Sequence, residues 1–165
     1  MNTDLLKARL NLHVVLRNLE DLPALDAETA DRIRDWNIAI HFAVRGGLEA
    51  GLVFEGGQCR HYAGRPPRAD VKLFFFSPAH LNAMFAGTGN PIPLKGFSKL
   101  GFLKNDFTAL TQRLEYFLRP DAEKLNDPDY LRANSLLTLY TGVFAVKHLA
   151  ELDPVAAKVA AATPP

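Results

Sequence analysis

Apolar positions at the start of the chain recur with a helical period. Between Asp4 and Leu19, Leu5, Leu12, Leu16 and Leu19 share one side, while Lys7, Arg9, Asn11 and Arg17 are left for water. This pattern predicts a helix that stops near Leu22-Pro23. Asp26 stands where a carboxylate accepts from amides that lack an intrahelical partner, so a short helix is expected to about Arg34, packed through Ala30 and Ile33. At Trp36 the period changes to two. Trp36, Ile38, Ile40, Phe42 and Val44 alternate with Asn37, Ala39, His41, Ala43 and Arg45, as in a strand with its bulky residues on one face. Gly46-Gly47 reverses the chain, Leu48, Ala50, Leu52 and Phe54 continue the alternation, and Gly56-Gly57 leads into a third short strand over residues 58–63.

Gly64-Arg-Pro-Pro67 interrupts this meander, because proline has no amide to give to a ladder. Asp70 to Phe76 reads as a further strand, with Val71, Leu73 and Phe75 on one face and Phe74 and Phe76 on the other. Ser77-Pro78 opens a helix whose buried stripe is Leu81, Met84 and Phe85, and Gly87-Thr-Gly89 ends it. A flexible stretch through Pro93 is expected next, then a last strand within Phe97 to Leu103 with Leu100 and Phe102 on one face. Asn105 or Asp106 caps a helix that repeats Phe107, Leu110, Leu114 and Phe117 and closes at Pro120. Asp127-Pro128 starts a long helix from about Asp129 to Leu149. Its residues Leu136, Leu137, Tyr140, Val143 and Phe144 make a broad apolar surface, expected to be buried by the core or by a second copy of the chain. The terminal residues 160–165 are expected to fray. The order of elements is that of an α+β fold with one sheet face covered by helices.

At 165 residues and 48% hydrophobic content the chain has the size and composition of one globular domain. Nineteen basic residues against eighteen acidic ones give a net charge of +1, which supplies no general attraction for a polyanion, so no nucleic-acid partner is expected. The basic edges formed by Arg60, Arg65, Arg68 and Lys72, and by Lys95, Lys99 and Lys104, are read as solvated faces with at most transient membrane contact. The single cysteine, Cys59, excludes an intrachain disulfide and a cysteine-only zinc site. His61 shares its strand face, but at a spacing too wide to activate the thiol. The five histidines have no short-spaced ligand pattern, and neither a phosphate loop nor an acid-base pair stands out; no metal, no cofactor and no enzymatic activity are expected. The start lacks the pattern of a secretory signal, and the apolar run 136–146 is too short to span a bilayer, so a cytoplasmic location is expected. The positive clue is eleven phenylalanines gathered in the central and later elements, suited to walling an apolar concavity.

The ordered run from Trp36 to Pro120 resembles the sterol carrier protein 2 domain. The agreement is carried by the hairpin Gly51 to Gly64, by Ala69 to Gly87 with its strand, helix and glycine succession, by Asn90-Pro91, and by Lys99-Leu-Gly-Phe-Leu-Lys-Asn105 as a final strand before an amphipathic helix. The resemblance implies a five-stranded, mostly antiparallel mixed sheet whose helices enclose an apolar tunnel for a fatty acyl or sterol-like ligand. Met84, Phe85, Leu100, Phe102, Phe107 and Leu110 would line that tunnel. Residues 1–35 then form an N-terminal helical segment, 36–120 the core, and 121–165 a helical extension packed on the core or on a partner, with a homodimer through the long helix as one outcome. The expected function is noncatalytic binding or transfer of a lipid-like molecule. The alternative is a protein-interaction or structural module whose cavity is filled by its own side chains. Pro93 and Lys95 to Ser98 depart from the family's usual approach to the last strand, and the long helix from Asp129 is an addition to it.

Overall fold

The computed structural model describes residues 2–162. Helix α1 (Thr3–Leu10) opens on Asn2, whose side chain accepts from the Asp4 amide at 2.9 Å. The chain continues through a π-wound turn, Asn11–Val15, into α2 (Asn18–Leu25). The stop expected at Leu22-Pro23 is corrected to Leu25: Pro23 lies inside α2, and full burial of Leu19 and Leu22 offsets the one backbone bond that proline removes. Asp26 caps α3 (Ala27–Ile33) by accepting from the Thr29 amide at 3.1 Å.

Five strands form one sheet: β1 (Ile38–Val44), β2 (Glu49–Glu55), β3 (Gln58–Tyr62), β4 (Val71–Phe75) and β5 (Ile92–Lys95). They lie in the order β3-β2-β1-β4-β5, antiparallel except for the central β1–β4 pair. Both reversals of the meander use glycine at positive φ, and Gly56-Gly57, at 59° and 74°, joins β2 to β3 in the two-residue turn that matches strand twist. Register puts Ile38, Ile40, Phe42 and Val44 on the same face as Ala50, Leu52 and Phe54, as Cys59 and His61, and as Val71, Leu73 and Phe75. This inner face carries the helices. β2 separates His41 from His61, and the two point to opposite faces.

Helix α4 (Pro78–Phe85) starts at Ser77, whose hydroxyl accepts from the His80 amide at 3.1 Å, and packs against α1 through a buried Leu81. The last strand is then β5, at Ile92–Lys95, and not Phe97 to Leu103. Gly96, at φ 85°, turns the chain out of the sheet, and residues 97–118 form one helical run: a 3₁₀ turn (Phe97–Lys99), α5 (Leu100–Phe102), a π-wound turn (Leu103–Phe107) and α6 (Thr108–Leu118). Asn105 and Asp106 therefore sit inside this run and cap nothing. We call it the covering run, because its inward residues close over the sheet.

Asp127 caps α7 (Pro128–Ala150) through the Asp129 and Tyr130 amides, and α8 (Pro154–Ala162) follows. α7 lies against α1, α2, α6 and the first π turn rather than on the sheet, and buries Tyr130, Ala133 and Leu137. Of its expected broad apolar surface only Leu137 is buried; Leu136, Tyr140 and Phe144 are half-buried and Val143 is exposed. Residues 160–162, expected to fray, end α8, and 163–165 lie outside the described residues.

Candidate functional site

The covering run meets the sheet at a seam of aromatic rings. Trp36, just ahead of β1, lies edge-on to Phe54 at 5.1 Å between ring centres and to Phe102 at 4.7 Å. Phe107 follows at 6.3 Å from Phe42 and 6.4 Å from Phe54. Phe42 and Phe54 are fully enclosed, whereas Trp36, Phe102 and Leu103 are only half-buried, so the seam runs from the core out to the surface. Such edge-to-face ring pairs add about 0.5–1.5 kcal/mol each beyond the area they bury. Among the described residues, the contacts of the first half of the run with the sheet are apolar.

The π turn sets which residues point inward. It holds an extra residue, so Phe102 and Phe107 both face the sheet at a spacing of five where an α-helix gives three or four. Thr108 stabilises the turn, its hydroxyl donating to the Leu103 carbonyl at 3.0 Å.

The second half of the run is held differently. Arg113 donates from Nε and Nη2 to the Asp26 carboxylate at 2.9 and 2.8 Å, and Asp26 also accepts from the Thr29 hydroxyl at 2.6 Å. Burial pushes the Asp26 carboxyl up, but the Arg113 and Thr29 hydrogen bonds outweigh it and hold the group below the usual carboxylate range. Leu110, Leu114 and Phe117 are buried alongside, and Asn134 of α7 donates to the Phe117 carbonyl at 2.7 Å.

Of the six residues expected to line a pocket, Phe102 and Phe107 lie along this run facing the sheet, Phe107 buried, and Leu110 is buried in the same core from α6. Met84 and Phe85 pack half-buried on the same core from α4. Leu100 stands apart, 40% exposed. Between sheet and helices the space is occupied by the chain's own Phe42, Phe54, Phe75, Leu81 and Phe107. Two open hollows indent the surface elsewhere: one of about 620 Å³ on the outer sheet face around Arg60, Tyr62 and Arg68, and one of about 650 Å³ around Asp26, Arg113 and Tyr130. Trp36 and Phe54 are not among those six, although strand alternation puts both on the inner face. Arg113 and Asp26 gave no signal as a pair, because 87 residues separate them.

Three histidines gather at the junction of the first π turn, β3 and α7. His13 stacks on His148 at 5.3 Å and meets His61 edge-on at 6.0 Å, while the His61 Nε2 lies 2.7 Å from the Leu12 carbonyl. Burial, followed by the charges of His148, His61 and Arg9, brings His13 down to about 4. Among the described residues no group of His, Cys, Asp or Glu is arranged to hold a metal ion. Burial, with Glu20 beside it, pushes the Cys59 thiol far up, which keeps it protonated and a poor nucleophile. No helix among the described residues is long and apolar enough to cross a membrane.

No protein-family model matches the chain, and no curated protein matches it. Among solved structures it is similar to a conserved hypothetical protein of Thermus thermophilus described as a possible sterol carrier protein. Identity is 18%, the match covers 62% of this chain and 80% of that one, and the TM-score is 0.42.

Proposed function

We propose that the chain is a noncatalytic binding module for a lipid-like ligand with an apolar body, fatty acyl or sterol-like, taken up beneath the first half of the covering run. The observation that carries this reading is the half-buried contact between Trp36 and Phe102 under an irregularly wound helix. Outward movement of residues 97–107 exposes an aromatic wall, and a ligand that replaces Phe102 on Trp36 restores the lost contact and keeps water out. Phe102, Phe107 and Leu110 then line the covering side, Met84 and Phe85 the α4 side, and Leu100 the rim. The hairpin at residues 51–64 and the succession of strand, helix and glycine at residues 69–87, within the run 36–120, support the same reading. That segment is taken as the binding core, with 1–35 and 121–165 as helical segments packed on it.

Trp36 is the chain's one tryptophan, which makes the seam directly observable. Titration with a long-chain fatty acid or a sterol is expected to change its emission saturably, and native mass spectrometry to find the complex. Phe102→Asp is expected to weaken binding at least tenfold with the fold retained, since a carboxylate in the seam has no partner there. No saturable change with either ligand class overturns the reading.

A second reading, an interaction module that pairs with its own copy, is favoured by one observation. Leu131, Leu139 and Val143 are exposed on α7 and fall within about a third of its circumference. A concentration-dependent dimer lost in Leu139→Ser supports it; a monomer at all concentrations removes it.

A further inference from the structure

A short convex surface begins where β5 leaves the sheet. Leu94, Phe97 and Leu100 are 51%, 65% and 40% exposed, three large apolar side chains within seven residues. They are held out by the backbone. Gly96 is wedged at positive φ against β4, where a side-chain carbon would come within 2.5 Å of the Asp70 carbonyl, and the Lys95 ammonium donates to the Ala69 carbonyl. Phe97 and Leu100, three residues apart at a helix start, project to one side. The turn is pinned, so their exposure is not the fraying of a loose end.

The charges around them have one sign. Lys95, Lys99 and Lys104 lie in the same stretch, Lys72 sits opposite Lys95 in the ladder, and residues 92–105 contain no acid. The nearest carboxylates along the chain are Asp106, beyond the π turn's centre, and Asp70, which already accepts from Arg68 and the Ala39 amide. A lysine on an edge strand guards against strand pairing, which accounts for Lys95. It does not account for Lys99 and Lys104, which are off the sheet. On α7, by contrast, the exposed apolar residues stand among both signs, Asp129, Arg132, Lys147 and Glu151.

We propose that residues 94–104 form a docking surface for an anionic lipid bilayer, with Leu94, Phe97 and Leu100 inserted at the headgroup boundary and Lys95, Lys99 and Lys104 against the lipid charge. Apolar tips ringed by cations are what such a boundary takes up, and each lysine is worth roughly fivefold in partitioning to an anionic surface. The surface is also the start of the covering run, so docking pulls on the half of the run that rests on ring contacts. That link to ligand uptake rests on the function proposed above; docking itself does not.

The test is co-sedimentation of the full chain with phosphatidylcholine vesicles, with and without phosphatidylserine. Binding is expected to the phosphatidylserine-containing vesicles and to fall with added salt. The double variant Phe97→Ser, Leu100→Ser is expected to lose it at least tenfold, and Lys95→Gln, Lys99→Gln, Lys104→Gln to lose the preference for phosphatidylserine. Leu139→Ser, Val143→Ser on α7 is expected to bind as the wild type does. In Trp36→Phe, Phe97→Trp, the emission of the relocated tryptophan is expected to shift to the blue when vesicles are added. Absence of vesicle binding by the wild type, indifference of that binding to the Phe97 and lysine variants, loss of it in the α7 variant, or an unshifted emission from the relocated tryptophan overturns the proposal. Vesicle binding without any Trp36 response to dissolved fatty acid leaves docking in place and removes the ligand reading; the converse removes docking alone.

Discussion

Residues 108–118 and residues 97–107 are of equal length and belong to one helical run, yet they are held in place in different ways. The later half buries Leu110, Leu114 and Phe117 and is tied by Arg113 to a carboxylate on the N-terminal layer. The earlier half is wound in three different ways, buries Phe107 alone, and leaves Phe97 and Leu100 in water. One helical run thus combines an anchored end with an end held by apolar contact. A module that admits a ligand needs both: opening everywhere is unfolding, and opening nowhere gives no access.

The contrast breaks most visibly by truncation. Leu114→Ala and Phe117→Ala are each expected to cost about 3–4 kcal/mol in denaturant unfolding, whereas Phe97→Ala and Leu100→Ala stay within about 0.5 kcal/mol. Similar costs in both halves would remove the distinction. Next comes the ion pair. Arg113→Met leaves the buried Asp26 carboxylate without its cation and is expected to cost about 3 kcal/mol, with residues 108–118 losing exchange protection first.

Acid sharpens the comparison because its effect falls far from the earlier half. His13 is held at about 4 against an ordinary value of about 6.5, so the folded state binds fewer protons than the unfolded one. The stability this represents is fully present above about pH 6.5 and is lost as pH falls toward about 4, up to roughly 3 kcal/mol. His61, lowered mainly by burial, acts in the same direction. Asp26 is also held low, so its contribution goes only under stronger acid. Thermal melts at about pH 7.5 and about pH 5 should therefore diverge in the wild type and diverge less in His13→Leu, in which His61 still contributes, while exchange at 97–107 stays unchanged. The smallest effect is Phe102→Leu, expected to cost about 1 kcal/mol and to raise the exchange of residues 97–107 several-fold without touching 108–118.

The same two halves show what was legible in the chain. The sheet's meander, the Ser77 and Asp127 caps and the α6 stripe all follow from spacing and from glycine or proline at the right places, because each is decided within a few residues. The stretch from Ile92 to Phe107 was not legible. Pro93 argues against a strand unless that strand is an edge, which β5 is. Leu100 and Phe102 alternate like a strand, and the π turn's extra residue hides the helical period that would have corrected this. The site was legible in part. Phe102, Phe107 and Leu110 are visible as apolar positions, but the pairing of Phe102 with Trp36 and of Phe107 with Phe54, and the Asp26 anchor, depend on contacts between residues far apart in sequence.

Amide hydrogen exchange along the covering run, in the native protein at neutral pH, tests the central claim most directly. The account predicts that residues 97–107 exchange through a local opening at least tenfold faster than residues 108–118, and that a bound long-chain fatty acid slows the first half and leaves the second unchanged. Equal protection across residues 97–118, with or without the fatty acid, would contradict it.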